Sequence, residues 1–160
     1  MIDIETELNE LYKEIAQQVN DMIPIEWDKF YFNGEVKEDE GGVFFFFQPH
    51  GEEQHVFSHN IPKLYNVDKR AYIKELHKLF QLTVELQKVF TDNEQDPWFS
   101  MTLILTDTGK LNVHFDYTNW HDSEIGATSR IKYFEYKYIS QNKAQFELDL
   151  IEGLKKFEGK

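Results

Sequence analysis

The chain has 160 residues, of which 41% are hydrophobic, so it is long enough to bury one core, and we expect a single domain over residues 1–160. It has no cysteine, which excludes disulfide scaffolds, thiolate metal sites and cysteine nucleophiles. Its formal net charge of −12 disfavours binding to nucleic acid and to anionic membranes.

The negative charge is concentrated near the start of the chain. Residues 1–68 hold 15 of the 29 acidic residues but only 4 of the 17 basic residues, a formal charge of −11. Residues 69–160 therefore carry −1 of the total of −12. A local negative field attracts a basic partner and raises its rate of association, so this distribution favours a protein that binds another protein.

The first half of the chain predicts a helix followed by strands. Apolar side chains recur at steps of three and four over residues 4–23, and Pro24 ends this helix. Residues 27–36 and 43–48 have strand patterns, and the glycines between them favour a hairpin turn. Residues 54–58 predict a third strand.

A loop, a long helix and a second strand pair are predicted next. Pro62 and Asn66 indicate the loop, and Asp68 is a suitable N-cap for a helix over residues 68–91. Residues 98–106 and 111–117 alternate as two strands around a turn at residues 107–110. On the second strand of the pair the alternation predicts four inward side chains: Leu111, Val113, Phe115 and Tyr117.

The C-terminal part predicts a loop at residues 119–128 and then two helices. Residues 131–139 also suit a strand, because tyrosine is common in sheets and this segment contains Tyr133, Tyr136 and Tyr138. The second helix uses Phe146 and the apolar residues that follow it. The whole order predicts an α+β fold: an antiparallel sheet of about five strands, with an N-terminal helix, a long central helix and C-terminal helices packed mainly on one face.

The run Phe44 to Phe47 alternates across a strand, so two of the four rings face away from the main core unless both sheet faces are covered. A sheet covered on both faces is the commoner arrangement. The alternative is an open aromatic face that, with Tyr31 and Trp120 beside acidic loops, would form a protein-binding hot spot.

Two groups of residues have the composition of metal sites. His50, His55 and His59 are closely spaced, but residues four apart on a strand lie about 13 Å apart, too far to share one ion directly. A better candidate has histidine and aspartate on one strand and in the loop after it: His114, Asp116, His121 and Asp122. Outward polar residues on a half-exposed strand explain the same pattern.

No motif of nucleotide binding or of hydrolytic catalysis is present, so we expect no enzyme activity and no cofactor. The acidic groups at residues 38–40, 52–53 and 92–96 fall in predicted turns, where water screens them. Solvated turns or a docking surface suit them better than acid and base catalysis.

Several segments together resemble the YezG/EsaG-like family of small acidic bacterial proteins. They are residues 22–27, the stretch from Ile61 and Pro62 to Val67, Pro97 and Trp98, and residues 109–117 followed by Trp120. The resemblance runs from the first helix to about Tyr138. It implies a cytoplasmic immunity protein, or antitoxin, that neutralises the nuclease domain of a toxin exported by the type VII secretion system.

The resemblance does not identify contact residues, so the predicted partner-binding set follows the charge: Glu38, Asp39, Glu40, Glu52, Glu53, Asp116, Trp120 and Asp122. The expected partner is a cognate nuclease toxin with a basic surface. Two alternatives remain open: a metal-dependent hydrolase that uses the histidine and aspartate cluster near residues 114–122, and a chaperone that holds the toxin without inhibiting it. The N-terminus lacks the pattern of a secretory signal and no apolar run spans a bilayer, so cytoplasmic residence is expected.

Overall fold

The computed structural model describes residues 3–37, 40–139 and 148–159. In these residues the chain forms five helices and five strands, which confirms the predicted α+β class. The helices are α1 (Ile4–Met22), α2 (Ile61–Tyr65), α3 (Lys69–Asp92), α4 (Ala127–Tyr138) and α5 (Leu148–Phe157). The strands are β1 (Trp27–Lys37), β2 (Glu40–Pro49), β3 (Val56–Phe57), β4 (Ser100–Thr106) and β5 (Leu111–Asp116).

The strands form one antiparallel sheet of five strands, as predicted, and their order is β3-β2-β1-β4-β5. The central strand β1 pairs with β2 on one side and with β4 on the other. Phe32 in β1 is the partner of both Phe45 in β2 and Leu103 in β4. β2 therefore lies on one side of β1, and the β4–β5 hairpin lies on the other.

The chain divides into two compact units, an N-terminal unit of residues 1–115 and a C-terminal unit of residues 116–160. The N-terminal unit contains α1 to α3 and nearly all of the sheet. The C-terminal unit contains α4 and α5. That the two units form a single domain remains a prediction.

In the N-terminal unit, α1 and α3 pack against each other and supply apolar residues to the core on one face of the sheet. Both helices have the N-caps that their sequences favour. Asp3 accepts a hydrogen bond from the Thr6 N–H, and Asp68 accepts one from the Ala71 N–H. The fully buried residues of this core include Ile15, Val19, Phe30, Phe32, Phe45, Phe47, Leu79, Leu86, Met101 and Leu103.

All four residues of the phenylalanine run are buried, which agrees with the expected covered sheet and contradicts the alternative of an open aromatic face on this strand. Phe45 and Phe47 belong to the core just described. Phe44 and Phe46 alternate with them and point to the opposite face of the sheet. The Phe46 ring lies 5.1 Å from the Phe57 ring on β3, measured between centroids.

The predicted loop at Pro62 and Asn66 is instead a short helix, α2, which follows a 3-10 turn at Ser58–Asn60. Proline is compatible with the first turn of a helix, because the N–H groups there have no intrahelical acceptor. Asn66 ends α2 in the left-handed conformation with φ of 54°.

The inward side of β5 is only partly as predicted. Val113 and Phe115 pack against the core, but Leu111 is 42% exposed and Tyr117, just beyond the strand, is 54% exposed. β5 lies at the edge of the sheet, where alternation alone does not ensure burial.

In the C-terminal unit, residues 131–139 belong almost entirely to α4, so the helix rather than the strand is confirmed. Tyr133 donates a hydrogen bond from its hydroxyl to Glu158 Oε1 at 2.8 Å, just beyond the end of α5. Phe146, predicted to belong to the last helix, lies outside the described residues. None of the helices in the described ranges combines the length and the apolar character needed to cross a bilayer.

Candidate partner-binding surface

Two of the three predicted acidic turns, at residues 38–40 and 52–53, supply members of the predicted partner-binding set. Glu38 and Asp39 lie outside the described residues, and Glu40 begins β2. Glu52 and Glu53 are exposed just after β2, where Gly51 has a positive φ of 75°. Glu52 and Glu53 are therefore solvent-exposed and accessible to a partner.

Asp116, Trp120 and Asp122 are close together in the C-terminal unit, where they make internal hydrogen bonds. The Asp116 carboxylate accepts from the Thr118 N–H at 3.0 Å, the Thr118 hydroxyl at 2.7 Å and the Trp120 Nε1–H at 2.7 Å. Trp120 is 4% exposed, and its ring lies 5.4 Å from the ring of Phe157. Asp116 thus orders the loop after β5.

Asp122 is exposed and its carboxylate accepts a hydrogen bond from the Asn119 side chain. The Thr118 hydroxyl in turn accepts from the Gly159 N–H at 2.6 Å, which ties this loop to the segment after α5. These bonds give Asp116 and Trp120 a structural role. The binding of a partner by the eight predicted residues remains a prediction.

The predicted set omitted a row of carboxylates along α1. Acidic residues recur at steps of four, three, four and seven, on a side of the helix next to its buried apolar side. We call these residues the α1 acidic stripe: Asp3, Glu7, Glu10, Glu14 and Asp21. Their spacing, which matches that of the apolar residues, was the sequence signal for this surface.

The histidines make separate local contacts. His50 Nδ1 lies 2.7 Å from Asp28 Oδ1, and the Gly51 N–H donates to Asp28 Oδ2. This hydrogen bond raises the pKa of His50 and lowers that of Asp28. His59 stacks on Phe57, and burial lowers its pKa.

Within the described ranges, no group of three or more histidine, aspartate or glutamate side chains has the arrangement of a metal site. His121 is not among the side chains described. The carboxylate of Asp116, predicted as a metal ligand in the alternative function, accepts the three hydrogen bonds given above. A metal centre near residues 114–122 remains a prediction without a supporting contact.

A groove of about 500 Å³ lies between α1 and the β4–β5 hairpin. Tyr12 and Ala16 form its α1 side, Leu105 and Leu111 form its hairpin side, and Trp27 lies between them. Burial raises the pKa of the Tyr12 hydroxyl, as expected for a phenol against apolar neighbours. The hairpin thus places apolar surface where it stays open to solvent.

An acidic pocket of about 750 Å³ continues from this groove, since Asn20 and Trp27 line both. Its other walls include Ile25, which is 38% exposed, and the carboxylates of Glu26 and Asp107. Both carboxylates lie near enough to His50 to contribute to its raised pKa. Sequence reasoning missed this surface because residues far apart in the chain meet there.

Comparisons with known proteins give one consistent result. The family model described as "Immunity protein YezG-like" matches residues 8–148. The chain is 31% identical over 154 residues to the type VII secretion system protein EsaG of Staphylococcus aureus strain NCTC 8325, covering 96% of this chain and 94% of that protein.

Two relatives from Bacillus carry the name immunity protein YezG. The protein of Bacillus spizizenii is 33% identical over 132 residues, covering 82% of each chain. The protein of Bacillus subtilis strain 168 is 35% identical over 132 residues, covering 82% of this chain and 87% of that protein. The family model covers far more than half of the chain, and the predicted resemblance is confirmed: this chain belongs to the YezG-like family of immunity proteins.

Proposed function

We propose that this chain is an immunity protein that binds a secreted nuclease toxin and blocks it by direct protein contact through an acidic surface. The observation that carries the proposal is membership of the YezG-like immunity family. The name of the Staphylococcus aureus relative, which refers to type VII secretion, supports a toxin exported by that route. The chain would act in the cytoplasm, without a cofactor and without a reaction of its own.

Charge complementarity supports a nuclease as the target. A nuclease must present a basic surface to the phosphates of its substrate. Residues 1–68 carry a formal charge of −11, and all of them lie in the N-terminal unit. A negative surface of this size steers a basic protein towards it and raises the association rate.

The acidic residues that we propose as partner contacts form two groups. The first is the α1 acidic stripe, whose members other than Glu7 are exposed. The second is the predicted partner-binding set, in which Glu52, Glu53 and Asp122 are exposed. α1 contains a single basic residue, Lys13, so its outer side keeps most of its negative charge.

A cleavage assay tests the proposal. The purified nuclease domain of the toxin encoded beside this gene is mixed with plasmid DNA and with increasing amounts of this protein. We expect cleavage to stop at about one molar equivalent, because a stoichiometric inhibitor occupies its target. Continued cleavage at molar excess, with or without binding, would reject inhibition, and binding without inhibition would identify a chaperone. The same assay with an unrelated acidic protein of equal charge is the control.

A further inference from the structure

We propose that the groove between α1 and the β4–β5 hairpin, together with the acidic pocket that continues from it, receives one segment of the toxin. In that segment a large apolar side chain lies beside a lysine or arginine. The inference rests on the proposed function, because it takes the toxin as the partner. It differs from the predicted partner-binding set, because the described members of that set do not line this surface.

The groove has the open apolar surface that an anchoring side chain requires. Tyr12, Trp27 and Leu105 are half-buried, and Leu111 is exposed at the edge strand. Two of the five large exposed hydrophobic residues in the described ranges, Ile25 and Leu111, lie on this continuous surface. Apolar surface left open in a concave site favours a binding partner, and buried anchors contribute most of the energy of such interfaces.

The floor of the surface is held in place before any partner arrives. Trp27 Nε1 donates a hydrogen bond to Asn20 Oδ1 at 3.0 Å, which links the start of β1 to α1. The Trp27 ring also packs edge-on against Phe30, with 4.9 Å between ring centroids. A preformed site loses less conformational entropy on binding than a site that must become ordered.

The acidic pocket indicates the charge of the partner. The carboxylates of Glu26 and Asp107 are exposed, and neither makes an ion pair within the described part of the chain. Asp28, by contrast, is bonded to His50 and Gly51. His50 also lines the pocket, but its ring is bonded to Asp28 and makes no ion pair with Glu26 or Asp107. A cationic side chain that enters the pocket would therefore meet two carboxylates that are open to pairing with it.

The charges also set the direction of the bound segment. Lys13 lines the groove, whereas Glu26 and Asp107 line the acidic pocket. Lys13 and Asn20 are seven residues apart on α1, about 10 Å along its axis. The apolar side chain of the toxin is thus placed near Leu111 and its basic side chain near Glu26, since the opposite direction would bring the base towards Lys13.

Two variants test the inference by measuring the dissociation constant for the purified toxin nuclease domain. We expect Leu111→Ser to weaken binding by about tenfold, because it removes an apolar contact of the anchor. We expect the double reversal of Glu26 and Asp107 to lysine to weaken binding by at least about tenfold, because like charges then meet. Both changes are at exposed positions, and thermal unfolding checks that the variants fold.

The matched controls are Leu64→Ser, at a residue that is 59% exposed on α2, and the reversal of Glu85 and Asp92 to lysine on α3. Losses confined to the groove and pocket variants would support the inference. The inference would be overturned if the groove and pocket variants bound the toxin with dissociation constants within about twofold of wild type, or if the controls lost as much affinity. Inhibition of cleavage by the wild type would in that case leave the proposed function intact. If the wild-type protein neither bound nor inhibited the toxin, the proposed function itself would fail.

Discussion

Asp116 shows how a residue with the composition of a binding or metal site serves to order a loop. Its carboxylate accepts three hydrogen bonds, from Thr118 and Trp120, within five residues of chain. The sequence indicated an outward polar residue on a half-exposed strand, followed by an irregular loop. It did not indicate that Thr118 and Trp120 of this loop donate hydrogen bonds to the Asp116 carboxylate. Loop conformation has no simple period from which such contacts could be predicted.

Replacing Asp116 with alanine tests this structural role. The variant loses three hydrogen bonds and leaves the Nε1–H of the buried Trp120 without its acceptor, so we expect the free energy of unfolding of the C-terminal unit to fall by about 2 kcal/mol or more. Urea unfolding followed by tryptophan near-ultraviolet circular dichroism measures the change. The control Asp122→Ala removes one hydrogen bond at an exposed carboxylate and should cost about 1 kcal/mol or less. Equal losses in the two variants would contradict the assignment.

The Asp28 and His50 pair gives a pH-dependent prediction. The hydrogen bond to Asp28 raises the pKa of His50 above 6.5, so the stability from His50 is fully present below pH 6.5 and is lost as the pH rises through the raised value. The pKa of Asp28 is lowered below 3.8, so its contribution is present above pH 3.8 and is lost as the pH falls through the lowered value.

Nuclear magnetic resonance titration of the histidines measures this coupling. In the Asp28→Asn variant we expect the pKa of His50 to move down towards 6.5, because the charged acceptor is gone. His59 is the internal control, since burial rather than Asp28 sets its lowered pKa, and it should titrate alike in both proteins. An unchanged His50 titration would show that the pair does not form.

At the scale of elements, the clearest sequence patterns gave correct structure. The periods of α1 and α3, the N-cap at Asp68 and the strand pairs of both hairpins are as predicted. The position of the glycines is not, because Gly41 and Gly42 were expected in the turn and instead pair with β1 as part of β2. The loop predicted in place of α2 was wrong for a physical reason. Proline breaks a helix when it lies in the interior, but Pro62 lies in the first turn of α2, where proline is tolerated. The choice between helix and strand at residues 131–139 stayed open because aromatic residues suit either.

The hairpin between β1 and β2 depends on one of its two adjacent glycines. Gly41 has φ of 149°, and a Cβ there would lie 1.8 Å from the Glu35 carbonyl oxygen. A Cβ at Gly42 would have no heavy atom within 4 Å. The two positions therefore form a matched pair for substitution.

We expect Gly41→Ala to lower the free energy of unfolding of the N-terminal unit by about 2 kcal/mol or more, since the strand pair must shift to relieve the clash. Gly42→Ala should stay within about 0.5 kcal/mol of wild type. Chemical denaturation of both variants gives the comparison. The hairpin geometry would be wrong if the first substitution were as mild as the second.

At the scale of the whole molecule, the distribution of charge could be predicted from the sequence, but the groove and its acidic pocket could not. The uneven distribution of charge between residues 1–68 and 69–160 is visible by counting, and the family resemblance was confirmed by the comparisons. The groove and its acidic pocket join α1, the start of β1 and the β4–β5 hairpin. No local pattern predicts which side chains remain open where such distant segments meet.

Capture of a basic toxin by a negative surface of this chain is measured by stopped flow, as the association rate at increasing sodium chloride concentration. We expect the wild-type rate to fall steeply with salt, because screening shortens the range of the attraction. Reversing Glu10 and Glu14 of the α1 acidic stripe to lysine should slow association at low salt and flatten that dependence. An association rate that is independent of salt and unchanged by the reversal would show that the negative charge of this chain does not capture the toxin.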